Sequence, residues 1–329
     1  MYGRAEPVSE RDLARMRALV AAAMRGERAP EAPPAELVRR GHLGPLAYKM
    51  GLAEHRAEYA ASAIMAERRA ALLREVLAAM RECGVRVARI KGIALAGTLY
   101  PDPAERPMQD VDLLVWRPHI SRAMRCMTSL GFEPVGSARR LSGYYHALTY
   151  TRDGMMIDLH RDIVQHGRSG LWVGDLWWRA QPAAGADLVE RLDPVDQLLL
   201  CALHAARHEL LVPALSYVDL ARLCRQVGDR GRAELLERAR MYRLSSAVAA
   251  VLAVTDELAA AARPVPPGRR RWRQRLLPGS DEILSQREPG RPLQLARKVA
   301  LADAPADVVG LAAAYGRSAL QGWLRSRAR

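Results

Sequence analysis

The chain holds a single phenylalanine, Phe132, and only 5% of its 329 residues are aromatic. Its four cysteines (Cys83, Cys126, Cys201 and Cys224) form no CxxC pair and no regular spacing. That excludes a disulfide framework, fits a reducing cytoplasm, and leaves each cysteine as a small core residue. No uninterrupted apolar run approaches the ~20 residues of a membrane span. The stretch after Met1 also lacks the charged-then-apolar order of a secretory leader, so the chain reads as soluble. Acidic side chains are outnumbered, 36 against 50 Lys and Arg, for a net charge of +14. Residues 261–329 hold fourteen Arg or Lys against five Asp or Glu, so most of the excess sits in a basic tail. Such a tail attracts polyanions, or is simply a solvated basic face.

What is present is a large apolar fraction. Half the residues are hydrophobic, enough for a sizeable interior and one or two domains, and too much for a disordered chain. The wealth of Ala and Arg reads as genomic compositional bias. Ser9 followed by Asp12 has capping-box spacing and opens a helical pattern (Leu13, Met16, Leu19, Val20, Met24) that stops near Gly26. A second helical stretch starts near Pro34 and breaks at Gly41 and Gly44, and an Ala-rich helix runs over roughly 53–82 to the Cys83-Gly84 stop.

The character changes at "VRVARI", residues 85–90, which reads as a strand. "KGIALAGTLY" is a turn into a short helix, "DVDLLVW" a strand, and "HISRAMRCMTSLGF" an amphipathic helix ending at Gly131. "YYHALTY" and "GMMIDLH" are strands around "TRDG", a hairpin signal. From Asp193 the pattern is helical again, and Pro264–Gly268 marks a linker before one or two basic helices. No internal repeat is present. The expected organisation is a helical segment over 1–84, an α/β core over 85–182, a helical domain over 183–262 and a basic helical tail over 263–329.

Asp110 and Asp112 stand two apart on a strand, so their side chains share a face while Val111 and Leu113 point to the core. Their Cα atoms are about 7 Å apart, within reach of one cation. Carboxylates this close raise each other's pKa unless a cation lies between them. Hard oxygen ligands suit Mg²⁺, which accepts substrate phosphates as further ligands. A solvated pair of strand-end acids is the alternative. Gly92, after a strand and opening a helix, offers close backbone approach to a phosphate, and Lys91 adds a point charge. Asp158, in "MMIDLH", is a third carboxylate in an apolar strand. If that strand pairs beside the first, three acids could hold two Mg²⁺ ions about 3.5–4 Å apart.

A glycine turn, a short helix, a DxD strand and a later lone strand acid, in that order, resemble the DNA polymerase β-like nucleotidyltransferase superfamily. More narrowly, "IKGIALAGTLYPDPAERPMQDVDLLV", "MMIDLHRDI" and "LDPVDQLLLCALHAARHELL…LSYVDLARL" resemble an uncharacterised bacterial nucleotidyltransferase family over roughly residues 35–260. The resemblance implies an α/β fold with a small mixed sheet flanked by N-terminal helices and a helical C-terminal domain. It implies two Mg²⁺ ions and transfer of a nucleoside monophosphate from an NTP to an acceptor. Asp110 and Asp112 would hold both metals, Asp158 the catalytic one while drawing the acceptor proton, and Gly92 would face the β- and γ-phosphates. Position 93 is Ile where relatives carry a serine hydroxyl, so phosphate contact falls to backbone N–H groups and Lys91.

Arg106 either neutralises phosphate or orients the carboxylates, or else bridges its loop to Asp102 or Glu105. His204 and His208, four apart on one helix face, are a zinc-type pair without a third ligand, or line the interdomain cleft or pack in a helix interface. By the resemblance they border the acceptor pocket together with Asp219. His160 shares the face of Asp158 and either supports the metal-holding acids, contacts the acceptor, or is a hydrogen-bonded strand-end histidine. Trp172, Trp177 and Trp178 either stack on a base or pack in the core.

The expected activity is NMP transfer to a hydroxyl of a small molecule or peptide. A non-catalytic nucleotide-binding member of the same fold, or a nucleic-acid binder using "GRRRWRQR" of the tail, are the alternatives. The absence of an appended RNA-binding module favours a small or peptide acceptor, and the family's company with specialised-metabolite pathways leans the same way by analogy.

Overall fold

The computed structural model describes residues 8–136, 147–163, 170–183, 186–261, 276–286, 289–304 and 308–309. The Ser9 cap forms as its spacing predicts, with the Asp12 amide donating to Ser9 Oγ at 3.1 Å at the head of α1 (Glu10–Arg25). Gly26 closes that helix in the left-handed region, φ 76°. α2 (Ala35–Arg40) follows Pro34 as expected. Gly44 does not break the chain but opens α3 (Gly44–Lys49), because Pro45 occupies a first-turn position that needs no amide donor. α4 (Arg56–Glu82) ends at Gly84, φ 64°.

Seven strands form one mixed sheet: β1 (Val87–Arg89), β2 (Asp110–Val115), β3 (Glu133–Pro134), β4 (Ala147–Arg152), β5 (Met155–His160), β6 (Gln181–Ala183) and β7 (Ala186–Arg191), in the order β3-β4-β5-β2-β1-β7-β6. The β2/β5 and β1/β7 pairs are parallel and the others antiparallel. α5 (Lys91–Ala96) lies between β1 and β2, α6 (Ile120–Ser129) follows β2, and α7 (Val173–Arg179) precedes β6. The β4–β5 hairpin turns on Asp153 and Gly154, both at positive φ (52° and 74°), as the Asp-Gly signal requires. The sheet extends past residue 182 through β7. Its "ADLVER" carries too short and too charged a pattern to stand out.

The two faces of β2 meet different cores. Val111, Leu113 and Val115 pack with Ile157 and Leu159 of β5 against α4 and α6, through Val76, Met80, Ala123 and Met127. Ala88, Ile90 and Leu114 point the other way, into a core shared by α1–α3 with α8 (Pro194–Arg207), α9 (Ala214–Met241) and α10 (Ser245–Ala259). The N-terminal helices therefore divide, with α4 covering the sheet and α1 packing on the C-terminal bundle. Burying side chains such as Leu19 or Val248 stabilises that join by about 1.5–3 kcal/mol each. α9 contains a break at Gly228 (φ 65°, ψ −172°), so it runs on continuously except for a kink. Beyond α10 come α11 (Ser280–Ser285), tied to α1 by an Arg17–Asp281 ion pair, and α12 (Arg291–Ala300). The linker at 264–268 and the "GRRRWRQR" run lie outside the described residues. Among the described residues no helix is long and apolar enough to cross a membrane.

Candidate functional site

Alternation along β2 places Asp112 on the same face as Leu114, toward the helical bundle and away from the α4–α6 core. The parallel register sets Asp112 directly beside Asp158 of β5, and Leu114 beside His160. This register is what joins two separated motifs into one cluster. Asp112, Asp158 and His160 each offer a ligand atom, all within 4.8 Å of one another. Asp110, at the head of β2, is half-buried at the edge of this set and does not belong to it.

Two side chains converge on one oxygen of the buried Asp112. Lys91 Nζ donates to Asp112 Oδ1 at 2.7 Å, and His160 Nε2 lies 2.7 Å from the same atom. Burial alone would push the Asp112 carboxyl up. The His160 hydrogen bond and the Lys91 charge outweigh it and hold the group well below the usual carboxylate range. Asp110 goes the other way. Burial raises it first, and repulsion from Asp112 and Asp158 adds to that, with Lys91 only partly offsetting. Asp112, Asp158 and His160 are oxygen and nitrogen donors of a kind a divalent cation takes, with Asp110 raised at their edge.

Gly92 is buried at the start of α5, after Lys91 turns the chain at φ 50°. The sequence pattern offers close approach by a phosphate as the reason for a glycine here. The group that uses the space here is Arg106, since a Cβ at position 92 would lie 2.5 Å from its Nη1. Arg106 itself does not pair with Asp102 or Glu105. It forms a bidentate pair with Asp219 of α9, Nε at 3.1 Å from both oxygens and Nη2 at 2.6 Å from Oδ2. Asp219 is 2% exposed and also accepts from Tyr100 Oη at 2.6 Å. Its oxygens face Tyr100 and Arg106 behind the Gly92 turn. Tyr100 had no local signal in the sequence, because its contact spans 119 residues.

His204 lies half-buried on α8, where burial lowers its imidazole to about 3 and the Lys91 charge adds to the effect. The structure thus brings His204 toward the Lys91–Asp112 pair. His208 caps the end of α8, exposed, its ring 4.8 Å from that of His204. Among the described residues the two histidines join no third ligand. Of the tryptophans, Trp177 is buried against Trp116, ring centroids 5.7 Å apart, with Arg86 over both rings. Trp172 and Trp178 are exposed.

A family model described as uncharacterised nucleotidyltransferase matches residues 37–260, from within α2 to the end of α10. The chain belongs to that family. It is a nucleotidyltransferase, and the matched span holds every strand of the sheet and every acid of the cluster. No curated protein matches the chain. Two solved structures of the antibiotic-resistance factor ANT(2'')-Ia are similar to it, each at 14% identity. Its solution structure has a TM-score of 0.40, covering 53% of this chain and 92% of that one. Its crystal structure in complex with adenylyl-2''-tobramycin has a TM-score of 0.37, covering 52% and 98%.

Proposed function

We propose that the nucleotidyltransferase transfers a nucleoside monophosphate from an NTP to a hydroxyl of a small molecule or peptide, with Mg²⁺ held at the β2–β5 cluster. The observation that carries this reading is the register of Asp112 beside Asp158, with Asp110 raised at its edge. Asp110, Asp112 and Asp158 would hold the metal, two ions in the full arrangement, and His160 places a nitrogen donor within the same reach. Bound there, Mg²⁺ neutralises phosphate charge and favours an ionised acceptor oxygen.

The chain's own residues do the rest. Lys91 and His160 hold Asp112 ionised and oriented through Oδ1. Asp158, half-buried beside it, takes the proton of the acceptor hydroxyl as that oxygen attacks the α-phosphorus and the bond to the β-phosphate breaks, releasing pyrophosphate. The Lys91-Gly92 turn meets the triphosphate with backbone N–H groups and an ammonium, in place of the serine that Ile93 lacks. His204, kept neutral on α8, faces the cluster from the bundle side and borders the acceptor.

Incubating the protein with Mg²⁺, labelled NTPs and a cell extract, then reading products by mass spectrometry, tests this. An NMP adduct made by the wild type and lost in Asp112→Asn supports the reading. An adduct formed equally by both removes it.

A further inference from the structure

A cleft of about 730 Å³ opens at the end of α5 away from Gly92, between the α1 and α3 termini and the middle of α9. That volume is in the range of small-molecule sites, about 300–1,000 Å³. Its walls carry Arg28, Lys49, Arg222 and Arg225 against Glu27 and Glu105.

The charges do not cancel in pairs. Glu27 is taken by Arg25, whose Nε lies 2.7 Å from Glu27 Oε1. Lys49 is shared with Asp102 at 3.6 Å. Among the described residues Arg28, Arg222 and Arg225 form no ion pair with a carboxylate. Glu105 is 7% exposed and feels Arg222 only as a neighbouring charge.

Two of these guanidinium groups are also fixed in place. Arg222 donates to the carbonyls of Leu99 (3.2 Å) and Ala23 (3.0 Å) and lies over the Tyr100 ring at 4.4 Å. Arg225, one turn on, donates to the carbonyl of Arg25 at 3.2 Å. Carbonyl partners hold a guanidinium without neutralising it, and each leaves N–H groups unused. Rigid, unneutralised guanidinium groups are the usual receptor for phosphate oxygens.

We propose that this cleft is a second anion site, distinct from the β2–β5 cluster, which takes a phosphorylated small molecule through Arg28, Arg222 and Arg225. It stands next to the catalytic machinery without being part of it. Tyr100 touches both Arg222 and Asp219, and Asp219 holds Arg106 beneath Gly92.

The test is calorimetry on the full chain, in EDTA, with three probes: inorganic pyrophosphate, AMP and citrate. Metal-free conditions keep the result independent of whether NMP transfer occurs. Pyrophosphate or AMP should bind, and the double substitution R28Q/R225Q should weaken that binding at least tenfold. Lys91→Met, at the other end of α5, should leave it unchanged. Pyrophosphate tighter than AMP would name a free phosphate as the ligand, and the reverse order a nucleotide. Citrate binding as well as either phosphate would overturn the phosphate assignment. No binding of any probe, equal binding by R28Q/R225Q, or loss in Lys91→Met instead would overturn the site. Both substituted arginines are exposed, and a thermal melt of R28Q/R225Q matching the wild type confirms that the fold is kept.

Discussion

At the scale of single residues, two aspartates two positions apart on one strand behave oppositely. Asp112 is held ionised by Lys91 and His160, whereas Asp110 is raised by burial and by its acidic neighbours. The consequence for stability has a definite sign. A group raised in the folded state contributes stability at low pH that is lost as pH rises through its folded value. In EDTA, Asp110→Asn should therefore melt higher than the wild type at pH 7, with the gap closing as pH falls through the raised Asp110 value. A pH series of thermal melts reads this directly. An equal melting temperature at every pH would mean that the acids do not repel one another. Asp112 works the other way, since its contribution is lost only as pH falls through its depressed value. Position 92 gives a steric counterpart. A methyl there meets Arg106, which Asp219 holds fast, so Gly92→Ala should cost about 1–3 kcal/mol in a denaturant melt. It should also weaken NTP binding more than a surface Gly→Ala does.

At the scale of elements, the sheet was largely legible. β2, β5 and the Asp153-Gly154 hairpin follow from alternation and turn chemistry, and the Ser9 cap and Gly84 stop from local spacing. The hidden parts are those fixed by distant partners. β7 is a charged six-residue strand whose place depends on parallel pairing with β1, about a hundred residues earlier. α3 begins at a glycine that local rules read as a stop. At the candidate site, the shared face of Asp112 and Asp158 and the position of Lys91 beside them were legible, because strand alternation and a glycine turn mark them. The partner of Arg106 was not, since only the packing of α9 brings Asp219 to it. The kink in α9 supplies a test at this scale. Gly228 adopts φ 65° with ψ −172°, a conformation confined almost wholly to glycine. Gly228→Ala should destabilise the chain by about 1–3 kcal/mol in urea unfolding, with little effect on nucleotide binding. A neutral substitution would show that the kink is not required.

At the scale of the whole molecule, the candidate site lies where two cores meet. The sheet carries the acids, and α8 of the bundle brings His204 near Lys91 and Asp112. Asp196 of α8 is fully buried and holds Arg179 of α7 (2.8 Å) and Arg238 of α9 (2.6 Å). Removing one member of a buried charge network leaves the others uncompensated, at a cost of about 3–5 kcal/mol. Asp196→Ala should lower the unfolding free energy by that amount and loosen the bundle against the sheet. The basic tail contributes most of the net charge, but α11 is buried in the bundle core through Ile283 and Leu284, so the test is substitution and not deletion. Replacing the arginines of 269–275 by Gln should lower the chain's affinity for polyanions and leave NTP binding intact. In the proposed reading Asp110, Asp112 and Asp158 form a divalent-cation site for a nucleoside triphosphate. Titrating ATP, GTP, CTP and UTP into the protein by calorimetry, with Mg²⁺ and then with EDTA, tests it most directly. At least one nucleotide should bind with Mg²⁺, and EDTA or Asp110→Asn should remove that binding. Binding that survives both, or no binding of any of the four, would contradict that reading.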